Sequence, residues 1–176
     1  EGKRAMVTGS TSGIGASTAR MLAAEGVKVI INGRNAERAE AVRSEIEASG
    51  GQAAVALGDL SSDASADAAM TAAMSAFGGI DILVNNLGQY EPFVQNWTDA
   101  TPEQFAATYE ANLIAAVRTI RASLDGMKAA GWGRIINIAS GAYSDPPPDF
   151  PTYGPSKAAL VNLSVGLAKS PSDTGV

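Results

Sequence analysis

Short apolar runs alternate along the chain with longer segments whose apolar positions recur every three or four residues. The first run, Ala5-Met6-Val7, leads through Thr8-Gly9-Ser10-Thr11-Ser12-Gly13-Ile14-Gly15 into an amphipathic helix, with Ile14, Thr18, Met21 and Leu22 on one side and Gly26 as its stop. Val27 to Ile31 reads as a second strand, followed by Asn32-Gly33-Arg34-Asn35 and a helix whose apolar face is Ala39, Val42 and Ile46. Asn35 is a good N-cap for that helix, and Gly50-Gly51 ends it. Ala53 to Leu57 is a third strand, closing on Gly58-Asp59-Leu60; Ala66, Met70, Met74 and Phe77 mark the next helix, which Gly78-Gly79 stops. Ile80 to Val84 is a fourth strand running into Asn85-Asn86-Leu87-Gly88. Thr101-Pro102-Glu103-Gln104 has the form of a capping box with Pro at the first helical position, so one long helix is expected from there to about Ala130. Arg134 to Ile138 is expected as a fifth, buried strand delivering Ser140 just past its end.

Strands and helices alternating at this rhythm imply right-handed β-α-β units, hence an α/β fold with a doubly wound parallel sheet and helices on both faces. With 176 residues and 45% hydrophobic content, one domain spanning residues 1–176 is expected. A formal charge of -5 with scattered Lys and Arg argues against nucleic acid as a partner. Absence of Cys and His removes thiolate and imidazole chemistry and most zinc sites, so no metal is expected and acid-base work falls to Tyr, Lys, Asp or Glu. No leader and no long apolar run are visible, so neither secretion nor a membrane is expected and a cytoplasmic location is. The sequence opens on Glu1 rather than Met, almost at the first strand.

Several places carry candidate chemistry. A strand, a glycine-rich turn and a helix N-terminus form an anion site at Gly9, Ser12, Gly13, Ile14 and Gly15, because glycines admit a pyrophosphate to the backbone and the free N–H groups point at it. Such a turn can equally be only a tight corner; no Lys-Ser/Thr follows, which excludes a Walker loop, and the spacing differs from Gly-x-Gly-x-x-Gly. The tip of the second strand, where a dinucleotide fold reads the ribose, offers no acid but Arg34, which suits the 2'-phosphate of NADP better than the 2'-hydroxyl of NAD; a solvent-facing Arg is the alternative. Asp59 and Leu60 end the third strand, where Asp59 is placed to cap, to contact the adenine or to be a plain loop carboxylate; Asn86 and Gly88 end the fourth. Tyr153 and Lys157 stand at i and i+4, so a helix beginning there sets an ammonium one turn from a phenol, whose pKa it can lower. Residues 89–100, with Tyr90, Pro92, Phe93 and Trp97, form a loop that could line a substrate pocket or pack on the surface.

Thr8-Gly9-x-x-x-Gly13-Ile14-Gly15, Asn85-Asn86-x-Gly88, Asn112, Ser140 and Tyr153-x-x-x-Lys157, in this order and spacing, closely resemble the classical short-chain dehydrogenases/reductases over essentially the whole sequence. The resemblance implies a Rossmann-type sheet, NADP (or, less favoured, NAD) as cofactor, and hydride transfer between a small-molecule carbonyl and an alcohol. It makes Tyr153 the general acid or base, Lys157 its activator and a ribose ligand, Ser140 a hydrogen-bond donor to the substrate oxygen, and Asn112 the holder of a water in a relay to Lys157. It also implies a homodimer or homotetramer through the helices carrying Asn112 and Lys157. Departures stand beside it. Leu87 replaces the usual Ala, and Pro171 falls where the last helix would be ending. Family members also continue beyond this length with further strands and a substrate-covering loop, so the domain is expected to be incomplete at its C-terminus, leaving Ile135-Ile136-Asn137-Ile138 as an uncovered apolar edge. A catalytically inactive dinucleotide-binding or interaction module is the competing reading.

Overall fold

Parity along the strands decides the architecture, because alternate side chains of a strand enter opposite faces of its sheet. In the computed structural model, which describes residues 2–89, 97–170 and 174–176, strands β1 (Arg4–Val7), β2 (Lys28–Gly33), β3 (Gln52–Leu57), β4 (Ile82–Asn85) and β5 (Arg134–Asn137) form one sheet in the order β3-β2-β1-β4-β5. Every neighbouring pair is parallel. Ala5, Val7, Val29, Ile31 and Val84 pack on one face against helices α1 (Gly13–Ala24) and α2 (Ala36–Ala48). Met6, Ile30, Ala56 and Leu83 pack on the other against α3 (Asp63–Phe77), α5 (Ala115–Ala129) and α6 (Tyr153–Ala168). This is the doubly wound Rossmann arrangement, and its strand order reverses between β1 and β4, which opens a crevice at their C-terminal ends.

Local chemistry explains the element ends. Asn35 caps α2 by accepting the Arg38 N–H at 2.8 Å. The capping box at Thr101 and Gln104 is formed in both directions and opens α4 (Pro102–Tyr109). Gly78, at φ 76°, ends α3 in a left-handed conformation.

Three expectations are corrected. The buried face of α1 is Gly15, Ala16, Ala19 and Ala23, with Leu22 partly buried beside it, while Ile14 and Met21 are 67% and 68% exposed; small residues let this helix lie close to the sheet, and Ile14 and Met21 are turned out. The single long helix is interrupted: α4 passes through a π turn at Glu110–Ile114 before α5 begins. Strand β5 is only partly buried, with Ile136 46% exposed, because it pairs with β4 alone among the described residues. Its tip is held by a polar chain instead. The Thr119 hydroxyl donates to Asn85 Oδ1 at 2.6 Å, Asn85 Nδ2 to Asn137 Oδ1 at 2.9 Å, and Asn137 Nδ2 to Ser164 Oγ at 2.8 Å. Pro171 and Tyr90, Pro92 and Phe93 of the aromatic loop lie outside the described residues; Trp97 is exposed and its ring lies 6.2 Å from that of Phe105.

Candidate active site at the sheet's switch point

Where β1 ends, a network of buried polar side chains sets the path of the glycine turn. Thr8, 1% exposed, accepts the N–H groups of Asn86 and Leu87 on its Oγ1 at 3.0 and 2.9 Å. Asn86 Nδ2 returns hydrogen bonds to the carbonyls of Thr8 and Gly9 at 2.9 and 3.2 Å. From the other side, Ser10 Oγ donates to the Val7 carbonyl at 2.6 Å and accepts the Asn32 N–H at 3.0 Å. The Asn32 carboxamide, buried at the end of β2, reaches the Ala56 carbonyl at 2.9 Å and accepts the Gly9 N–H at 3.4 Å. The exits of β1, β2, β3 and β4 are thereby tied beneath one loop.

Above that network the loop is shaped for close approach. Gly9 and Gly13 have φ of 61° and 54°, the left-handed region that a side chain disfavours. A methyl group on Gly15 would come within 2.5 Å of both Asn86 Nδ2 and the Gly9 carbonyl. Ser12 stands at the N-cap of α1 with an extended backbone and makes no side-chain cap bond. A cleft of about 960 Å³ runs from Gly9, Ser12, Gly13 and Ile14 past Arg34 and Asp59 on one side and Asn86, Gly88 and Ala111 on the other. Its length along the strand ends, its glycine floor and the α1 N-terminus fit a dinucleotide whose pyrophosphate lies over the turn.

At the adenosine end, Arg34 projects from the tip of β2 with its side chain 73% exposed, and Nη1 lies 3.5 Å from Asp59 Oδ2. Arg38 lines the same wall. The Ser61 hydroxyl and N–H both donate to Asp59 Oδ1, at 2.6 and 3.0 Å, and hold the carboxyl below its ordinary range, with Arg34 adding a smaller push. Asp59 does not cap the next helix; Ser62 occupies that position. Leu60 meets the cleft, but its side chain is buried in a small cluster with Ala66, Ala69 and Ala115, against which Leu87 also packs.

The catalytic candidates gather at the opposite end. Helix α6 begins at Tyr153, so Lys157 does stand one turn on, with Nζ 5.7 Å from the centre of the Tyr153 ring. Lys157 is 2% exposed; Nζ donates to the Ile138 carbonyl at 2.8 Å, and burial lowers its pKa. Asn112 lies in the π turn and is buried rather than facing water. Its Nδ2 donates to the Gln89 carbonyl at 2.7 Å and to Ser156 Oγ at 2.9 Å, and its Oδ1 accepts the Gln89 N–H at 2.7 Å. Both amide protons are therefore taken by protein acceptors, and a relay water would have to approach the remaining lone pair of Oδ1. Gly88 separates the two side chains: a methyl group there would come 3.3 Å from Lys157 Nζ and 3.5 Å from Asn112 Oδ1. Ser140 opens a short 3-10 turn at Gly141–Tyr143, accepting the Ala142 N–H at 3.3 Å.

Several residues that shape the site carry no motif of their own. Gly154 admits the Ser140 turn to the head of α6, since a methyl group there would come 2.8 Å from the Ala142 carbonyl. Ser156 links Asn112 to the Tyr153 carbonyl, to which its Oγ donates at 2.7 Å. Asn32 had one usable signal, a carboxamide directly after a run of strand-forming apolar residues.

Known proteins with this arrangement are numerous. The family model described as short chain dehydrogenase matches residues 3–176. An uncharacterized oxidoreductase of Bacillus subtilis, YvrD, is 41% identical over 99% of this chain and 65% of its own length. A D-beta-hydroxybutyrate dehydrogenase of Cupriavidus necator is 40% identical over 99% of this chain and 67% of its own. The chain thus spans about two thirds of the length of the curated relatives it matches. Among solved structures, a metagenomic short-chain oxidoreductase in complex with NADP superposes with a TM-score of 0.90 at 37% identity, over 96% of this chain and 76% of that one. L-sorbose reductase from Gluconobacter frateurii, complexed with NADPH and L-sorbose, gives 0.90 at 34% identity, over 96% and 64%. With its sheet order, its glycine turn and the match from end to end, the chain belongs to the short-chain dehydrogenase/reductase family.

Proposed function

We propose that the protein is an NADP(H)-preferring oxidoreductase that interconverts a small-molecule carbonyl and an alcohol, and that residues 1–176 act as one dinucleotide-binding unit. The observation that carries this reading is the buried Lys157 side chain one helical turn from Tyr153, its Nζ packed against Gly88, which lines a cleft floored by glycines. Gly9, Ser12, Gly13, Ile14 and Gly15 would hold the pyrophosphate, Asp59 and Leu60 would border the adenine, and Asn86 and Gly88 would flank the nicotinamide half. Bound there, the nicotinamide supplies or accepts the hydride.

The remaining chemistry belongs to side chains. Tyr153 donates a proton to the carbonyl oxygen during reduction and takes it back in the reverse direction. Ser140 donates a hydrogen bond to the same oxygen and stabilises the charge that grows on it. Lys157, fixed by the Ile138 carbonyl, holds a positive charge beside the phenol and presents a donor to the ribose. Asn112 keeps the segment leaving β4 against the π turn, next to Lys157.

The preference for NADP rests on Arg34 and on the absence of an acid at the tip of β2. The structural neighbours described with NADP or NADPH support it. The decisive variant is Tyr153→Phe. It should retain NADPH binding while carbonyl-dependent NADPH oxidation falls by about 10²-fold or more, the range for loss of a general acid. Undiminished turnover would remove Tyr153 from the proposed role.

A further inference from the structure

Helix α4 buries a single residue, and that residue is polar: Thr108, 0% exposed. Its Oγ1 lies 3.0 Å from Oγ1 of Thr152, which is 2% exposed and directly precedes Tyr153. Thr152 occupies the N-cap position of α6, where a threonine hydroxyl ordinarily accepts a backbone N–H of the first turn. Here it makes no cap bond, and its backbone is already helical at φ -84° and ψ -31°. The Thr108 hydroxyl donates to Thr152 Oγ1 and lies within 2.9 Å of a second acceptor, the Gln104 carbonyl.

One turn further on, the same sequence offset recurs. Thr108 meets Thr152 and Asn112 meets Ser156, each pair 44 residues apart, and Ser156 passes the contact to the Tyr153 carbonyl. Tyr153 is thus bracketed, with the residue before it tied to α4 and its own carbonyl tied to the π turn. Apolar contacts between helices tolerate axial sliding, whereas a directional bond between two buried hydroxyls does not, because sliding would take from Thr152 Oγ1 its buried partner. A valine would fill the same volume without this constraint.

We propose that Thr152 is a positioning residue for Tyr153, setting the axial register of the first turn of α6 through its hydroxyl pair with Thr108. This rests on the reading of Tyr153 as the proton donor. With NADPH and an active carbonyl, Thr152→Val should lower kcat by about tenfold or more, since sub-ångström misplacement of a reacting group is that costly. Its NADPH Kd should stay unchanged, Thr152→Ser should restore kcat, and Thr108→Val should lower it as Thr152→Val does. The double valine variant should lose no more than either single one, because the pair acts as a unit. Retained kcat in Thr152→Val, or parallel loss of kcat and NADPH binding, would overturn the inference. Crystal structures decide it independently of turnover. In Thr152→Val the Tyr153 ring should be displaced from its 5.7 Å separation from Lys157 Nζ, and an unmoved ring would overturn the proposal. A wild-type protein that binds NADPH but reduces no carbonyl would sink the catalytic reading of Tyr153, while the ring position in the variant would still decide the register.

Discussion

Asn86 and Thr8 grip each other through main chain and side chain at once: the Asn86 N–H reaches Thr8 Oγ1 at 3.0 Å while its carboxamide reaches the Thr8 carbonyl at 2.9 Å. The glycine turn is consequently bound to the end of β4 as well as to β1, and the two halves of the cleft share one floor.

That floor leaves no room at Gly15. In Gly15→Ala the new methyl would meet the Gly9 backbone carbonyl as well as Asn86 Nδ2, and the carbonyl cannot swing away as a side-chain end can. Overpacking of this kind costs about 1–3 kcal/mol. We expect a lowered melting temperature and weaker NADPH binding, measured by thermal unfolding and fluorescence titration; wild-type values for both would contradict the geometry.

Arg34 is exposed and only loosely paired with Asp59, so it is available to a phosphate. Arg34→Asp should weaken NADPH binding by about tenfold or more, as expected for loss of a charge-assisted hydrogen bond, and should favour NADH. Titration with both cofactors checks this, and an unchanged ratio of affinities would take Arg34 out of the site.

Lys157 sets stability against activity. Its pKa is lowered by burial, so the folded state disfavours the protonated form: the penalty is full below the folded pKa and disappears as pH rises from that value towards the ordinary 10.5. Lys157→Met removes the charge and keeps the volume. Its unfolding free energy should lack this alkaline rise and should equal or exceed that of the wild type near neutral pH, although carbonyl reduction falls by about 10²-fold or more. Denaturant titrations at several pH values measure the first quantity, and a steady-state assay measures the second.

Asp81 and Arg4 form the opposite case at the far end of the sheet. Asp81 accepts the Arg4 N–H at 2.9 Å and two guanidinium bonds at 2.8 and 2.7 Å, which hold its carboxyl below the ordinary 3.8. A depressed carboxyl stabilises the fold above its unfolded pKa and loses that contribution as pH falls through the folded value. Asp81→Asn should therefore destabilise the protein by about 1.5–3 kcal/mol at neutral pH, the range for hydrogen bonds to charged groups. The difference from wild type should shrink in acid, which urea unfolding at pH 7 and pH 3 will show.

The alternation of strands and helices was legible because each strand is bounded by glycine or a polar turn, and the strands fall within about two residues of their expected ends. The glycine turn and the Tyr153-Lys157 spacing were legible for the same reason, being local. Packing partners were not. Ile14 and Met21 look like the core side of α1, yet alanines fill that role, since apolar spacing does not say how closely a helix approaches its sheet. Asn112 falls inside what reads as one long helix, and its partners in the π turn, Gln89 and Ser156, are distant in sequence. Thr108 and Thr152 carried no signal at all, because a buried threonine pair resembles two surface hydroxyls until the helices are placed together.

Strand β5 is attached at its tip by the chain from Thr119 through Asn85 and Asn137 to Ser164, while Ile136 on its flank stays wet. Opening it breaks those contacts and frees the partly buried Ile135 and Ile138, a smaller apolar exposure than that of unfolding the whole core, so the opening carries a smaller heat-capacity change. Its free energy should curve less with temperature, whereas the stability of the buried β1 and β2 follows the curved profile of a hydrophobic core. Amide exchange compared at several temperatures would then show the edge of the sheet breathing on its own thermal schedule, beside the very residues that present Ile138 to Lys157.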